Sequence, residues 1–441
     1  MAYAKGKRPF EYASKSGHSY IIADPAVQSF LDKCRMPTEG SDVSFAGHTL
    51  VDHNSSAKSN LEHVIAFDGG YSEVAVRPKF PSATMAFIQC GALSFATQDL
   101  DGLSKQSFIA PEDMTRLKNI ERLKLALPMR GIRLEKETSF KSSVRRTIFE
   151  FFSNNVGETS LAETLAWLVF QEFDGNTQEW TLASCPLCDC SGVKISRSSF
   201  RSDCTFDCNH CNQELFITDV LRLHEAVDEE IGAGGILGYL VTTIEQIILV
   251  HFVKALLANK PAALSSIVFI KDGPLAYFGQ TANLHKPMRA LVKYLFDYHN
   301  FFAAGLEKSG AFVEHAQAIA MLLKPSQILI LDNEYIYKYI IPGKADPNNP
   351  YGRTTYYGNK VIYKSGSGGM HVITLPTGEL LSKPNASDLK NLHAVLDIVD
   401  RLRCDMYDNA LIPIALANKL VSLSDHPSTK ILERFAKSAI K

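Results

Sequence analysis

Apolar residues recur along this chain in short runs of β-branched and aromatic side chains, broken by turns carrying Gly, Pro, Asn and Ser. Runs at residues 62–67, 71–76 and 83–95 have strand character, and Gly69-Gly70 between the first two reads as a turn. An antiparallel meander is therefore predicted. Residues 112–152 read as mixed helix, and Ser160-Leu161-Ala162-Glu163 is a capping box opening a helix through residue 173. Helices dominate 218–257, and from Leu240 to Leu256 the apolar positions run nearly all round, the mark of a buried helix. Then come a strand at 265–271, a helix at 287–298, a strand at 301–306 and a helix at 311–323. Strands follow at 327–331, 335–341, 360–364 and 371–375, with 342–358 as a loop and helices at the end. The first sixty residues read as loops and short helices. No internal repeat is visible. The order predicts an α/β fold, a mixed sheet flanked by helices.

Composition changes this picture little. The 441 residues are 46% apolar and 21% charged with formal net charge −1, so any nucleic-acid contact must come from a local patch. Ten Lys and Arg between Arg116 and Arg146 read as a solvated helical face, with a DNA-backbone track as the sharper alternative. The basic N-terminus has no apolar run behind it, and no stretch has eighteen apolar residues. A cytoplasmic protein with no membrane partner is expected.

Three acids change the picture more. Two apolar runs end in Asp-Gly, at Asp68-Gly69 and Asp272-Gly273, and Glu245 is the sole acid between Glu230 and Asp272. Its helix is the apolar one, and a buried acid needs a counter-charge. Carboxylate oxygens suit Mg²⁺ or Mn²⁺, and two such ions on a shared acid cluster suit phosphodiester hydrolysis. Asp68, Glu245 and Asp272 are the expected metal ligands. Lys271, Lys286, Arg289 and Lys308 flank them as expected DNA-phosphate contacts.

These motifs resemble the NurA family of DNA-repair nucleases. The resemblance rests on Ala66-Phe67-Asp68-Gly69-Gly70-Tyr71, on Phe269-Ile270-Lys271-Asp272-Gly273-Pro274-Leu275, on Gly305-Leu306-Glu307-Lys308-Ser309 and on Leu411-Ile412-Pro413-Ile414-Ala415-Leu416-Ala417-Asn418-Lys419. It implies a ribonuclease H-like sheet whose first strand, a helix and a later strand supply the acids. It also implies 5′→3′ exonuclease and single-strand endonuclease activity, Mn²⁺ preference, and a homodimer docked on a HerA-type hexameric ATPase, in DNA repair or phage defence. Two departures stand out. Gly70 and Tyr71 precede Ser72, where the family reads Asp-Gly-Ser. Asn418 occupies the place of the family's histidine, and Tyr407 is the nearest match to its tyrosine. Asn418 can bind metal or orient water but cannot act as a base, and His371 is the alternative imidazole.

Nine cysteines, six of them between Cys185 and Cys211, argue for metal and against disulfides. Cys185-Pro186-Leu187-Cys188 and Cys208-Asn209-His210-Cys211 predict a structural zinc ribbon, with Cys190, Cys204 and His210 as alternative ligands. The ribbon docks a partner or touches DNA through Arg197 and Arg201. The expected division is 1–180 with the first catalytic strand, an inserted four-cysteine ribbon at 181–217, and 218–441 with the catalytic helix and second acidic strand. Gly232 to Gly238 misses a dinucleotide fingerprint, and no P-loop sequence occurs. The competing reading, from another class, is a catalytically silent zinc-ribbon adaptor that positions DNA or the ATPase.

Overall fold

The computed structural model describes residues 16–34, 36, 38–54, 61–80, 82–98, 122–402, 411–423 and 428–439. Nine strands form one mixed sheet: β1 Thr49–Asp52, β2 His63–Arg77, β3 Ala83–Ala96, β4 Arg122–Arg130, β5 Ile267–Asp272, β6 Phe302–Glu307, β7 Gln327–Ile330, β8 Gly358–Lys364 and β9 Met370–Pro376. Their spatial order is β1-β7-β8-β9-β6-β5-β2-β3-β4. The central β2, β5 and β6 run parallel, and every other neighbouring pair is antiparallel. An antiparallel meander forms, as β2-β3-β4, but its strands are not the expected 62–67, 71–76 and 83–95.

Alternation along the strands sorts side chains onto two covered faces. Ile65, Phe67 and Phe269 face the helices Phe140–Ser153, Leu161–Val169, Leu237–Asn259 and His285–Tyr298. Val64, Ala66, Val268 and Ile270 face Leu392–Arg401 and Ile412–Val421 on the other side. Leu329, Ile362 and Val372 build a third cluster with Ala311–Ala318. The Leu237–Asn259 helix is apolar all round because the molecule surrounds it. One stretch among the described residues, Gly234–Asn259, is long and apolar enough to cross a membrane, but its most apolar 18 residues are 78% buried within the protein, as in a core helix. The Ser160 capping box forms: Ser160 Oγ accepts from Glu163 N–H at 3.1 Å, and Glu163 Oε2 from Ser160 N–H at 2.8 Å.

Four readings are corrected. Residues 62–76 are one strand, not two, and β2 runs straight through Gly69-Gly70. Those glycines leave room instead of making a turn. A Cβ at Gly69 would lie 2.8 Å from both Cys90 Sγ and Val241 Cγ1, and one at Gly70 would lie 2.9 Å from Val421 O. The segment 122–130 is a strand at the sheet edge, with Arg122, Lys124 and Arg130 exposed; Arg116 and Lys118 lie outside the described residues. The expected strand at 335–341 is a helical turn, Asn333–Tyr335, continuing into a π-turn at Ile336–Ile340. Asp332 caps it by accepting from Tyr335 N–H at 2.7 Å, and the buried positions 335, 336, 339 and 340 have helical spacing. Within the first sixty residues, β1 pairs with β7.

The cysteine segment forms two hairpins, Trp180–Ser184 with Ser191–Ile195, and Thr205–Asp207 with Glu214–Phe216. They merge with the helical side of the main core: the Phe149 and Phe216 rings stack at 4.3 Å. Next to this stack, buried Arg145 forks onto Asp219 with bonds of 2.9 and 2.7 Å.

Candidate active site

Asp68 and Asp272 come together through register. Lys271 of β5 lies opposite Phe67 of β2, so the next residues in these parallel strands, Asp272 and Asp68, stand side by side. Beyond Asp272 the chain turns sharply, and Gly273 adopts φ +85° to make that turn. On its other side β5 pairs with β6, which ends in Glu307 and leads to Lys308. A cleft of about 520 Å³ opens there, lined by Asp68, Gly69, Tyr71, Thr242, Glu245, Lys271, Asp272, Pro274, Phe278, Glu307 and Lys308, among others.

The three acids have different surroundings. Glu245 is buried beneath Gly69, and its Oε2 is 3.0 Å from Lys271 Nζ, itself buried. The same ammonium donates to the Asp272 carbonyl oxygen at 2.5 Å. Asp272 is half-exposed, and its Oδ2 accepts from Lys308 Nζ at 2.7 Å. Asp68 is 5% exposed; its Oδ1 accepts from Gly69 N–H at 2.8 Å, while the buried Oδ2 has no hydrogen-bond partner among the described residues. Burial, then the charges of Asp272 and Glu245, push the Asp68 carboxyl up to about 7. Glu245 is also raised by burial, against the pull of Lys271. The buried Cys90 thiol on β3 is raised by burial and by the charges of Glu245 and Asp68.

The expected triad thus meets at one cleft, but its oxygens do not close into one cage. Among the described residues, the metal-capable side chains whose ligand atoms all lie within 4.8 Å of one another are Cys185, Cys188, Cys208 and Cys211. Lys271 stands between Glu245 and the Asp272 backbone, and Lys308 occupies Asp272 Oδ2. The donor set still suits a hard divalent cation: Asp68 Oδ2 is a buried, unsatisfied carboxylate oxygen beside a second acid.

Other expected residues fall elsewhere. Lys271 is an internal counter-ion, too buried to be a free phosphate contact. Arg289 braces a loop, its Nε donating to Tyr356 O at 2.9 Å and its Nη2 to Arg353 O at 2.8 Å. Lys286 is exposed on its helix and does not line the cleft. Of the four lysines and arginines, Lys308 alone is both at the cleft and partly accessible. Asn418 is exposed on Ile412–Val421 and does not line the cleft, nor does His371, which is buried on β9. Tyr407 lies outside the described residues. No histidine lines the cleft among the described residues.

Glu307 was missed. It lines the cleft and pairs with Lys360, a buried ammonium lying over the Phe312 ring at 4.2 Å. The signal was legible: an acid ends β6 as Asp272 ends β5, and Lys360 directly precedes the apolar run Val361-Ile362-Tyr363 of β8.

The four cysteines can hold a zinc ion. Cys185 and Cys208 are buried, Cys188 is exposed and Cys211 is half-buried. Leu187 N–H donates to Cys185 Sγ at 3.4 Å. Although burial opposes it, the Cys208 thiol is lowered to about 7 by N–H groups of Cys211 and His210. Cys190, Cys204 and His210 stay outside the cluster.

Gly69 is the residue that lets the long helix approach. Gly69→Ala is expected to cost about 1–3 kcal/mol, because its methyl would lie 2.8 Å from two core atoms and 3.1 Å from Glu245 Oε1. Thermal unfolding of the variant measures this, and an unchanged midpoint would contradict the tight packing.

No protein-family profile matches this chain, and no curated protein matches it in sequence. Among solved structures it is similar to the NurA nuclease from Sulfolobus solfataricus, at 9% identity over 97% of this chain and 97% of that one, with a TM-score of 0.31. A likeness that loose carries no argument about fold or function.

Proposed function

We propose that this protein is a divalent-cation-dependent DNA nuclease of the NurA type. The observation that carries this reading is the convergence of Asp68, Glu245 and Asp272 on one open cleft, with the buried Oδ2 of Asp68 unsatisfied. A polar group buried without a partner costs stability, and an exogenous cation removes that cost. Asp68 and Asp272 would hold Mn²⁺ or Mg²⁺, which when bound polarises a phosphodiester and lowers the pKa of water. The chain's own residues do the rest. Lys271 fixes Glu245 and the Asp272 backbone, Gly69 N–H orients Asp68, and Lys308 offers a partly exposed ammonium to a phosphate oxygen. Without a cation the Asp68 carboxyl is raised to about 7, so binding the cation near neutral pH displaces its proton.

The sheet suits a ribonuclease H-like assignment, with the acid-bearing first strand β2 central, antiparallel β3 and β4 on one side and parallel β5 and β6 on the other. The 5′→3′ exonuclease and single-strand endonuclease activities, the homodimer and a HerA-type ATPase partner follow from the motif resemblance and belong to the same proposal, as do repair or phage defence.

One observation favours the silent-adaptor reading. Lysines already neutralise Glu245 and Asp272, and the cleft has no histidine among the described residues. End-labelled linear and single-stranded DNA separates the two. Zinc-loaded protein should degrade both with Mn²⁺ or Mg²⁺ and neither with Ca²⁺ or without added cation, and Asp68→Ala should bind DNA without cutting it. Equal behaviour of wild type and Asp68→Ala would leave the adaptor.

A further inference from the structure

The carboxylates of this cleft are answered almost one for one by lysines. Glu245 meets Lys271, Asp272 meets Lys308, and Glu307 meets Lys360. Among the described residues, Asp68 is the one acid of the four with no ammonium bonded to it. With all four acids ionised, as a bound cation requires of Asp68, four carboxylates against three ammonium groups leave a single negative charge. One divalent ion would turn the cleft mildly positive, matching the single charge of a phosphodiester. Two ions would leave an excess of three positive charges in a site where Lys271 and Lys360 are almost wholly buried, a costly arrangement in a poorly screened interior.

Strand alternation separates the acids further. Phe67 and Phe269 belong to the core on the long-helix side, and Lys271 continues that phase to Glu245. Asp68 and Asp272 fall on the other phase, with Ala66 and Ile270. Glu245 is thus tied to a buried lysine on the helix side, while the unsatisfied oxygen and its neighbour share the opposite phase. Lys308 is partly exposed at the cleft and reaches Asp272 Oδ2 directly; its charge also acts on Asp68.

Resting on the nuclease reading, we propose that the cleft takes one divalent cation, at Asp68 and Asp272, and that Lys308 Nζ supplies the fixed second positive charge where a two-metal site would hold its second ion. Glu245 is then a positioning residue, held by Lys271 and not a ligand of the cation. The ammonium faces a non-bridging or leaving oxygen of the phosphate, as a point charge.

The test counts ions as well as turnover. Bound Mn²⁺ is measured by electron paramagnetic resonance on zinc-loaded protein carrying a non-cleavable phosphorothioate single strand, and zinc is quantified separately. Wild type should bind one Mn²⁺ per chain and Asp68→Asn none. Lys308→Met should bind two and cleave about 100-fold more slowly, while Lys308→Arg should return to one Mn²⁺ and recover most of the rate. Two Mn²⁺ on a wild-type chain that cleaves would overturn the lysine assignment and leave the nuclease reading standing. A single ion in both wild type and Lys308→Met would overturn it as well. A wild type that binds none and does not cleave would remove both.

Discussion

Asp68→Asn is expected to lower DNA cleavage by at least about a thousandfold while making the cation-free protein more stable. The gain comes from electrostatics. Asp68 is 5% exposed, has one unsatisfied oxygen and stands beside two other acids. An amide keeps an oxygen for Gly69 N–H and turns its other end into a donor toward Asp272 and Glu245. The shift from 3.8 to about 7, at about 1.4 kcal/mol per unit, bounds the gain near neutral pH at about 2–4 kcal/mol. The sign in pH follows. The folded carboxyl holds its proton more tightly than the unfolded one, so its contribution is fully present below the ordinary Asp value and is lost as pH rises through about 7. Zinc-loaded wild type without Mg²⁺ or Mn²⁺ should therefore melt at progressively lower temperature from pH 5 to pH 8. Asp68→Asn should lack much of that slope, and Mn²⁺ should restore wild type at pH 8. A wild-type melting temperature that rises over this range without added cation would contradict the placement of Asp68. So would an Asp68→Asn variant that still cuts DNA.

Withdrawing zinc, or replacing Cys185 and Cys208 together by serine, should have the second largest effect. The hairpins at Trp180–Ile195 and Thr205–Phe216 have strands of five and three residues, too short to persist without a cross-link. Structural zinc contributes about 10–16 kcal/mol of apparent binding energy in small modules, energy that is spent on folding. Loss should not stay local. Cys185, Phe206, Leu215 and Phe216 share one buried cluster with Phe149, Phe152 and Leu165. The variant should contain no stoichiometric zinc, be cut by protease between residues 181 and 217, and melt several degrees lower as a whole. An intact, protease-resistant double variant would show that the cysteines do not hold a structural metal.

Much of this was legible in advance where chemistry is local. The capping box at Ser160 and the spacing of Cys185, Cys188, Cys208 and Cys211 depend on residues close in sequence, and each formed where expected. The strand character of 63–67 and 83–95 and the apolar helix around Glu245 were visible from periodicity, whereas the third strand of the meander, 122–130, was not. Gly69-Gly70 misled, because the same dipeptide that makes a turn also gives another element room to approach. The segment 335–341 misled because its aromatic and β-branched composition suits a strand, while burial of Tyr335 and Tyr339 one turn apart and the Asp332 cap favour a helix. Arg289 and Lys271 looked like surface cations, yet only the packing shows the backbone carbonyls and the glutamate they serve.

By itself the sequence determined the candidate side chains: acids at the ends of apolar runs, one acid on an apolar helix, and paired thiols. Their mutual arrangement came from the tertiary structure alone. Register in the parallel strands sets Asp272 beside Asp68, and strand alternation sends Lys271 to Glu245 on the long helix. The placing of Lys308 and Lys360 decides which carboxylates are already neutralised. Charge compensation depends on distances between residues tens of positions apart in the chain, and no local pattern encodes them.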